Sequence, residues 1–262
     1  MRSEPKVSII TPIYNYEKYI GETLRCLQKS SYQNWECIVM DSDSTDNSAA
    51  VVQEMAREDD RIKYFHHTKL PIPQAKNNAV AHSSGKYLLP LDSDDLIAPE
   101  YISEAVEILE NNPEVKLVYC RGVYFGDKKK KWKLEPYSYK QLLIKNCIHN
   151  TALFRRADFD KTSGYNPNMT ASEDWDLWIS LLETGGEVYV IEKDYFFYRK
   201  HKDSFTVNNQ HKIEEIQKQI YLNHKEAYND LLSNPIKLLQ EHNKYKKGYN
   251  QLRRLTLRKQ IP

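Results

Sequence analysis

The 262-residue chain lacks the features that mark a membrane-spanning, secreted or nucleic-acid-binding protein. No apolar run approaches the roughly 20 residues needed to cross a bilayer, and the first residues contain no apolar signal-peptide region. The net charge is only +2, and no basic stripe carries an RNA-binding signature, so we expect no nucleic acid as a partner. We therefore predict a cytoplasmic protein whose only membrane contact would be peripheral, at the inner face.

Cysteine and glycine are also scarce. The four cysteines are widely spaced without a Cys-x-x-Cys pair, which favours reduced, buried thiols. The turn after the first predicted strand has no Gly-x-Gly-x-x-Gly, so the dinucleotide-binding fingerprint is excluded. Tyrosine, by contrast, is abundant, with 19 copies against 7 phenylalanines. This excess predicts half-buried rings that line clefts or stack on ligands.

Strand and helix patterns alternate over the first hundred residues. Short apolar runs bounded by turn residues predict strands at residues 7–11, 37–40, 62–65 and 87–91. Apolar side chains at helical spacing predict helices at residues 19–27, 49–55 and 74–82. Such alternation is typical of an α/β fold with a mostly parallel central sheet flanked by helices.

The remainder of the chain has a less regular pattern. Two helices are predicted, from Pro99 to Pro113 and from Glu173 to Thr184, and further strands at residues 115–120, 123–125, 188–191 and 195–198. Five lysines between residues 128 and 133 predict an exposed hairpin tip. From about Val207 the composition shifts to Asn, Gln, Lys and Tyr at helical spacing, which predicts a C-terminal helical extension.

A cluster of carboxylates directly follows the predicted strand at residues 87–91. Asp92, Asp94 and Asp95 repel one another unless a cation or several hydrogen-bond donors stabilise them. In open α/β sheets, ligands bind beyond the carboxyl ends of strands, and Mg²⁺ or Mn²⁺ commonly bridges such carboxylates to phosphates. Taken alone, an acidic turn that caps the helix near Pro99 explains the cluster equally well.

Two more polar turns follow the first and second predicted strands. Thr11, Pro12 and Tyr14 could present backbone N–H groups and an aromatic face to a nucleotide base, or form a proline turn without a ligand. Asp41 could accept hydrogen bonds from a base or ribose, or simply belong to an acidic turn and helix cap.

Two polar segments of the second half of the chain could also contribute to a site. Glu173 and Asp174 open a predicted helix, where acids are favoured by the helix dipole, but where a carboxylate could also act as a general base. Arg199 and His201 follow the last predicted strand. Both side chains suit a phosphate-bearing metal site, although a lone histidine is more often structural.

The order and spacing of these segments closely resemble the family 2 glycosyltransferases. The resemblance rests on Val7-Ser-Ile-Ile-Thr-Pro-Ile-Tyr-Asn15, Asp41 with Ser44-Thr45-Asp46, Lys76-Asn77, Asp92-Ser-Asp94-Asp95 and Glu173-Asp174. It covers roughly residues 5–205 and implies the GT-A fold. The chain departs from the family pattern in having Asp41-Ser42-Asp43-Ser44 in place of Asp-Asp-Gly-Ser, and Ala79 in place of a glycine.

The resemblance implies a role for each candidate residue. On the donor side, the Thr11–Tyr14 turn, with Pro12, would hold the nucleotide base, and Asp41 would bind the edge of that base. Five further residues would bind the diphosphate, ribose or sugar: Lys76, Asn77, Asp92, Ser93 and Arg199. Asp94 would bind Mn²⁺ or Mg²⁺, with His201 as a further metal or phosphate ligand. Asp174 would be the catalytic base, with Glu173 as its acidic neighbour, and His149-Asn150 would be an acceptor-side counterpart.

The implied reaction is an inverting transfer of a sugar from a nucleoside-diphosphate sugar, with UDP favoured, to a hydroxyl of a saccharide or lipid-linked acceptor. Surface polysaccharide or glycolipid synthesis is the expected setting. Two alternatives stay open at this point: a phosphoryl or nucleotidyl transferase that uses the same aspartates, and a nucleotide-sugar-binding protein with a decayed site. The first is weakened because Leu96 stands where an aspartyl-phosphate enzyme would carry Thr or Val.

Three segments are predicted along the chain. Residues 1–98 would form the nucleotide-sugar-binding half, and residues 99–206 the acceptor-binding and catalytic half of the same GT-A domain. Residues 207–262 would form the basic helical extension. Its last part, residues 241–262, holds seven Lys or Arg and one Glu. We predict that this part contacts an anionic membrane surface; a solvated helix or a disordered end is the alternative.

Overall fold

The computed structural model describes residues 5–202 and 212–231. The strands are β1 Val7–Ile13, β2 Trp35–Asp41, β3 Ile62–His66, β4 Tyr87–Pro90, β5 Leu96–Ile97, β6 Val115–Gly126, β7 Lys130–Trp132, β8 Leu153–Arg155 and β9 Glu187–Lys200. The helices are α1 Ile20–Gln28, α2 Ser48–Glu58, α3 Ile72–Ala81, α4 Tyr101–Asn111, α5 Tyr139–Ile144, α6 Arg156–Phe159, α7 Glu173–Leu182, α8 Ile213–Asn223 and α9 Lys225–Leu231.

The strands form one sheet in the order β3-β2-β1-β4-β8-β6-β9-β5, with β7 paired to β6. The neighbours β3, β2, β1 and β4 are parallel to one another, and β6 is parallel to β9. Strands β5, β7 and β8 pair antiparallel and are only two or three residues long. Most of the paired residues are therefore parallel, which confirms the predicted α/β class.

The first four strands and the helices between them lie where the sequence predicts them. Strands β1 and β2 are buried at nearly every residue, because the sheet is covered on both faces, and such strands read as continuous apolar runs. The boundary of β1 needs a correction: the strand continues two residues past the predicted end at Thr11, through Ile13. Pro12 is therefore also a strand residue, and the turn begins at Tyr14.

The predicted strands of the second half were divided wrongly. Residues 115–120 and 123–125 belong to the single strand β6, and residues 188–191 and 195–198 belong to the single strand β9. These two long strands pair in parallel from Val115 to Gly126, with register shifts around Arg121 that absorb the irregular sequence. The lysine-rich segment also contains a strand, since Lys130–Trp132 pairs with β6 as β7.

The C-terminal part of the chain is described only to residue 231. By its internal contacts the chain divides into two compact units, Met1–Asn223 and His224–Pro262, so that α8 belongs to the first unit and α9 to the second. Ile216 and Ile220 of α8 are buried, and Ile213 is exposed. No helix in the described ranges is both long and apolar enough to cross a membrane. Residues 241–262 lie outside the described residues, and the three-segment division stays a prediction.

Candidate active site

The carboxyl ends of β1, β2 and β4 open on one edge of the sheet, because these strands are parallel neighbours. Ligands bind at this edge in open α/β folds. The loop that follows β4, residues 92–95, is called the acidic loop below. Two other segments reach the acidic loop. His201, which follows β9, contacts Asp94. Glu173, at the start of α7, is joined to Asp92 through Lys76. Polar segments from both halves of the chain therefore meet in one place.

The end of β9 holds the acidic loop. His201 Nε2 lies 2.9 Å from Asp94 Oδ2. The Arg199 side chain donates from Nε to the carbonyl oxygen of Asp94 at 2.7 Å, and the Arg199 backbone N–H donates to Asp95 Oδ1 at 2.8 Å. Three contacts across more than a hundred residues of sequence thus fix where the Asp94 carboxylate lies.

Helix α1 supports the loop from the other side. The Thr23 hydroxyl lies 3.0 Å from the carbonyl oxygens of both Ser93 and Asp95. The Arg199 guanidinium donates to Glu22 Oε2 at 2.6 Å and stacks over the Tyr19 ring. Arg199 and Ser93, which were predicted to bind the donor, thus have observed contacts that position the loop; donor binding by these two residues stays a prediction.

The three neighbouring carboxylates of the acidic loop all have raised pKa values. Burial, and then the charge of Asp94, raise the pKa of Asp92 to about 6, although Lys76 opposes the shift. Burial also raises the pKa of Asp94, against the lowering effect of His201. The pKa of Asp95 is raised well above its usual range by burial and by its two neighbours. Such repulsion favours the binding of a cation.

The acidic loop and His201 together fit a divalent cation. Asp95 Oδ2 and His201 Nδ1 are buried without a hydrogen-bond partner among the described residues. Carboxylate oxygens suit Mg²⁺ and Mn²⁺, and imidazole is a common ligand of transition metals. No group of three or more His, Cys, Asp or Glu side chains within residues 5–202 and 212–231 is arranged to hold an ion alone. Asp94 and His201 would therefore need ligand oxygens from a phosphate or water.

A single buried lysine joins the acidic loop to α7. Lys76 Nζ donates to Glu173 Oε1 at 2.6 Å and to Asn150 Oδ1 at 3.0 Å, and it lies 3.7 Å from Asp92 Oδ1. Burial alone would lower the pKa of Lys76, but Glu173 and Asp92 together raise it. Lys76 is therefore a buried, charged residue that lies between carboxylates of both halves of the chain.

Asp174 is presented by a strained turn at the start of α7. Ser172, which precedes the two acids, has φ +56°, in the left-handed region that non-glycine residues seldom adopt. The Asp174 carboxylate accepts a hydrogen bond from Asn146 Nδ2 at 3.0 Å. Burial, and then the charge of Glu173, raise the pKa of Asp174 to about 7, despite the opposing effect of Lys76. A carboxylate with this pKa is suited to accept a proton near neutral pH.

The turn after β1 is held by the loop after β2. Asn15 has φ +58°, and its side-chain oxygen accepts a hydrogen bond from the Thr45 backbone N–H at 2.7 Å. Tyr14 precedes it with 53% of its surface exposed, so the ring is available to a ligand. Pro12 lies within β1, and the Thr11 hydroxyl lies 3.6 Å from Cys37 Sγ inside the sheet. Only Tyr14 of the three predicted base-binding residues presents an exposed side chain.

Asp41 and Asn77 have structural partners. Both Asp41 oxygens accept hydrogen bonds, from the Ser44 backbone N–H at 2.9 Å and from the Tyr64 hydroxyl at 2.7 Å. The Asn77 side chain pairs with both the N–H and the carbonyl of Tyr165, at 2.9 and 2.7 Å. These contacts fix the walls of the site, and the predicted roles of Asp41 and Asn77 in donor binding stay predictions.

Three residues of the site were given no role from the sequence: Asn15, Thr23 and Asn146. Asn15 carried a usable signal, because asparagine tolerates the left-handed conformation of a tight turn. The others carried none, since their importance comes only from the partners that folding gives them. Asn150, by contrast, was part of the predicted acceptor-side pair. Its neighbour His149 is buried, stacked on Phe196, and burial lowers its pKa to about 4.

Comparison with known proteins identifies the family of this chain. The chain belongs to Glycosyl transferase family 2, whose model matches residues 8–170. It is 28% identical over 213 residues to EpsE of Bacillus subtilis, which is provisionally named a glycosyltransferase. The match covers 78% of this chain and 77% of EpsE. It is also 28% identical over 212 residues to TuaG of the same organism, provisionally named a teichuronic acid biosynthesis glycosyltransferase, covering 78% and 83% of the two chains.

Solved structures establish the GT-A fold. TarS of S. aureus in complex with UDP-GlcNAc superposes with a TM-score of 0.70 at 21% identity, covering 83% of this chain and 66% of that chain. The mannosyltransferase PcManGT from Pyrobaculum calidifontis, in complex with GDP-Man and Mn²⁺, superposes with a TM-score of 0.65 at 20% identity, covering 88% and 71%. The expected family and fold are both confirmed.

Proposed function

We propose that the protein is an inverting glycosyltransferase. It would move a sugar from a nucleoside-diphosphate sugar, with UDP as the first choice, to a hydroxyl of a saccharide or lipid-linked acceptor in surface polysaccharide or glycolipid synthesis. The observation that carries the proposal is Lys76, whose ammonium contacts Glu173 and lies 3.7 Å from Asp92. This contact links the start of α7, which carries Asp174, to the acidic loop, and supports the proposal that they form one site.

The donor side of the proposal rests on the edge formed by β1, β2 and β4. The ring of Tyr14, which is exposed next to the turn that Asn15 holds, would lie on the base. TarS and PcManGT bind UDP-GlcNAc and GDP-Man at the same kind of fold. Asp94 and His201 would hold Mn²⁺ or Mg²⁺, and such an ion would supply positive charge to the departing diphosphate.

The acceptor side of the proposal rests on Asp174. Its carboxylate would remove the proton from the acceptor hydroxyl while that oxygen attacks the anomeric carbon from the face opposite the diphosphate. Asn146 holds the carboxylate in place by its hydrogen bond to Oδ2. A single displacement inverts the anomeric configuration and needs no nucleophile from the enzyme. Contact of residues 241–262 with a membrane remains part of the proposal, outside the described residues.

The stereochemistry of donor hydrolysis tests the proposed function. With water as the acceptor, we expect an α-linked donor such as UDP-α-D-GlcNAc to release the β-hemiacetal first. Early ¹H NMR spectra, taken before mutarotation, separate the two anomers. A panel of UDP-, GDP- and dTDP-linked sugars, each with Mn²⁺, identifies the donor. Release of the α-anomer would contradict inversion, and hydrolysis of none of the donors would contradict the proposed activity.

A second prediction concerns pH. The base must be ionised to accept a proton, so kcat/KM for donor hydrolysis is expected to fall about tenfold per pH unit below pH 7 and to level off above it, given the pKa of about 7 for Asp174. Asn146→Ala removes a donor to the ionised carboxylate, which should raise this pKa and move the acidic limb to higher pH. The matched control is Asn112→Ala, at the distant end of α4, which should leave the limb in place. A limb that does not move in Asn146→Ala would rule out this role.

A further inference from the structure

The hairpin formed by β6 and β7, together with the end of β9, makes a basic and aromatic surface that the proposed mechanism does not use. We call it the hairpin surface. Its members are three aromatic residues and five lysines: Tyr124, Trp132, Tyr198, Lys128, Lys129, Lys130, Lys131 and Lys200. Residues 128–131 are exposed, and the three aromatic residues are each half-buried.

The aromatic residues of this surface pack as one group. Trp132 stacks on Tyr124 with ring centroids 5.2 Å apart and an interplanar angle of 24°. Tyr198 meets Trp132 at 5.1 Å and Tyr124 at 5.8 Å. Rings held in this way lose little conformational entropy when a ligand covers them, and tyrosine and tryptophan combine apolar faces with polar groups. They form a rigid support for a ligand that has both apolar and hydroxylated faces.

The cations of the surface are short of counter-charges. Lys200 Nζ lies 4.7 Å from the centroid of Tyr124 and 4.3 Å from that of Tyr198. Within the described part of the chain it makes no ion pair, although the charges of Asp95 and Asp94 act on it from a longer distance. Lys131 pairs with Asp194 at 3.4 Å across an exposed surface, and such pairs are weak. A group of lysines that the fold does not neutralise attracts an anion.

This surface is attached directly to the candidate active site. Lys200 immediately precedes His201, the partner of Asp94. Gly126, at the end of β6, pairs with Lys200 and adopts φ +82°, and an added Cβ there would lie 2.7 Å from the Lys200 carbonyl oxygen. The Asp127 N–H donates to that same oxygen at 2.9 Å. The backbone therefore holds the hairpin close against the strand that leads into the site.

We propose that the hairpin surface binds the acceptor, and that the acceptor is an anionic saccharide that carries carboxylate or phosphate groups. This inference rests on the proposed transferase function and specifies its substrate class. The rings would lie against sugar faces, and the lysines would pair with the anionic groups. A lipid surface is disfavoured, because no residue of the hairpin surface is among the large apolar side chains that are strongly exposed.

Direct binding of polymers, measured without any donor, tests this proposal. The probes are fluorescently labelled polygalacturonate for carboxylate, long-chain polyphosphate for phosphate, and neutral dextran. We expect at least one anionic polymer to bind, dextran to bind much more weakly, and Lys128→Ser/Lys129→Ser/Lys130→Ser to weaken the anionic binding by about 10-fold or more. Preference between the two anionic polymers identifies the charged group. The matched control, Lys29→Ser/Lys161→Ser/Lys218→Ser, removes the same charge from exposed lysines elsewhere and should change binding by no more than about 2-fold.

Several outcomes would overturn the proposal. Equal losses in the two triple variants would mean that only net charge matters, and equal binding of dextran would remove the role of charge. Failure of both anionic polymers to bind would refute the surface as an acceptor site. Vesicles of phosphatidylglycerol form a separate arm: if they alone require lysines 128–130, the surface contacts lipid and the proposal is wrong. Because no donor is present, each of these failures is distinct from a failure of inverting hydrolysis by the wild-type protein.

Discussion

Replacing Asp174 with asparagine is expected to lower kcat by about 10²–10⁴-fold, the usual loss when a well-placed general base is removed. The substitution keeps the size of the side chain but removes the proton-accepting charge. Donor affinity should change little, because the residues predicted to bind the donor lie mainly in the first half of the chain. The measurement is donor turnover at saturation, with donor affinity taken from the thermal stabilisation of each variant.

The control for this prediction lies at the other end of the same helix. Glu183 follows α7 and is exposed, so Glu183→Gln makes the same carboxylate-to-amide change away from the site. We expect its turnover to stay within about 2-fold of the wild-type value, as for most surface substitutions. If Asp174→Asn retained turnover within tenfold of the wild type, another residue would have to be the base.

The second large effect is expected at Asp94. Asp94→Ala removes the carboxylate that His201 contacts at 2.9 Å, and with it the predicted metal site. We expect turnover to fall by about 10²–10³-fold or more, since charge stabilisation at the leaving group is commonly the largest contribution to catalysis. We also expect one diphosphate nucleotide with Mn²⁺ to stabilise the wild-type protein against heat, and we expect this stabilisation to be lost in Asp94→Ala.

The measurement is the melting temperature with UDP, GDP, CMP or dTDP, each with Mn²⁺ or with a chelator. In the wild type, we expect one diphosphate nucleotide to raise it only when metal is present. Asp60→Ala, which removes an exposed carboxylate beyond α2, serves as the control and should keep the full response. A nucleotide response that persists in Asp94→Ala, or that ignores the chelator, would contradict the assignment of the metal site.

The first half of the fold was predictable because its signals are local. Each parallel strand is buried on both faces, so it appears in the sequence as an apolar run that ends at a turn. The acids after these strands could be placed at one edge of the sheet without knowing any contact. Asp94 and Asp41 were found in this way. The family resemblance had already placed His201 with Asp94, as a further metal or phosphate ligand. Tyr64, the partner of Asp41, was not identified, because strand periodicity does not tell which distant side chain lies opposite.

The second half was harder because its order depends on distant pairing. Strands β6 and β9 pair with each other along most of their length, across more than sixty residues of sequence. The charged run Glu192-Lys193-Asp194 looked like a break in β9, yet a register shift in the pairing accommodates it. Arg199 was identified as a donor-binding candidate from its type and place, whereas its observed partners, the Asp94 carbonyl and Glu22, could be found only from the fold.

Strand β9 has a consequence for the order of events in a catalytic cycle. It carries Tyr198 and Lys200 of the hairpin surface and continues directly into His201 beside the acidic loop. The backbone from Tyr198 to Lys200 is already paired with β6, so a shift that a molecule at the hairpin surface causes there would also move His201. Any resulting change in the affinity for a molecule at the acidic loop must be matched by an equal change in the opposite direction of influence. Under the proposed assignments, donor and acceptor would be cooperative partners through a single strand.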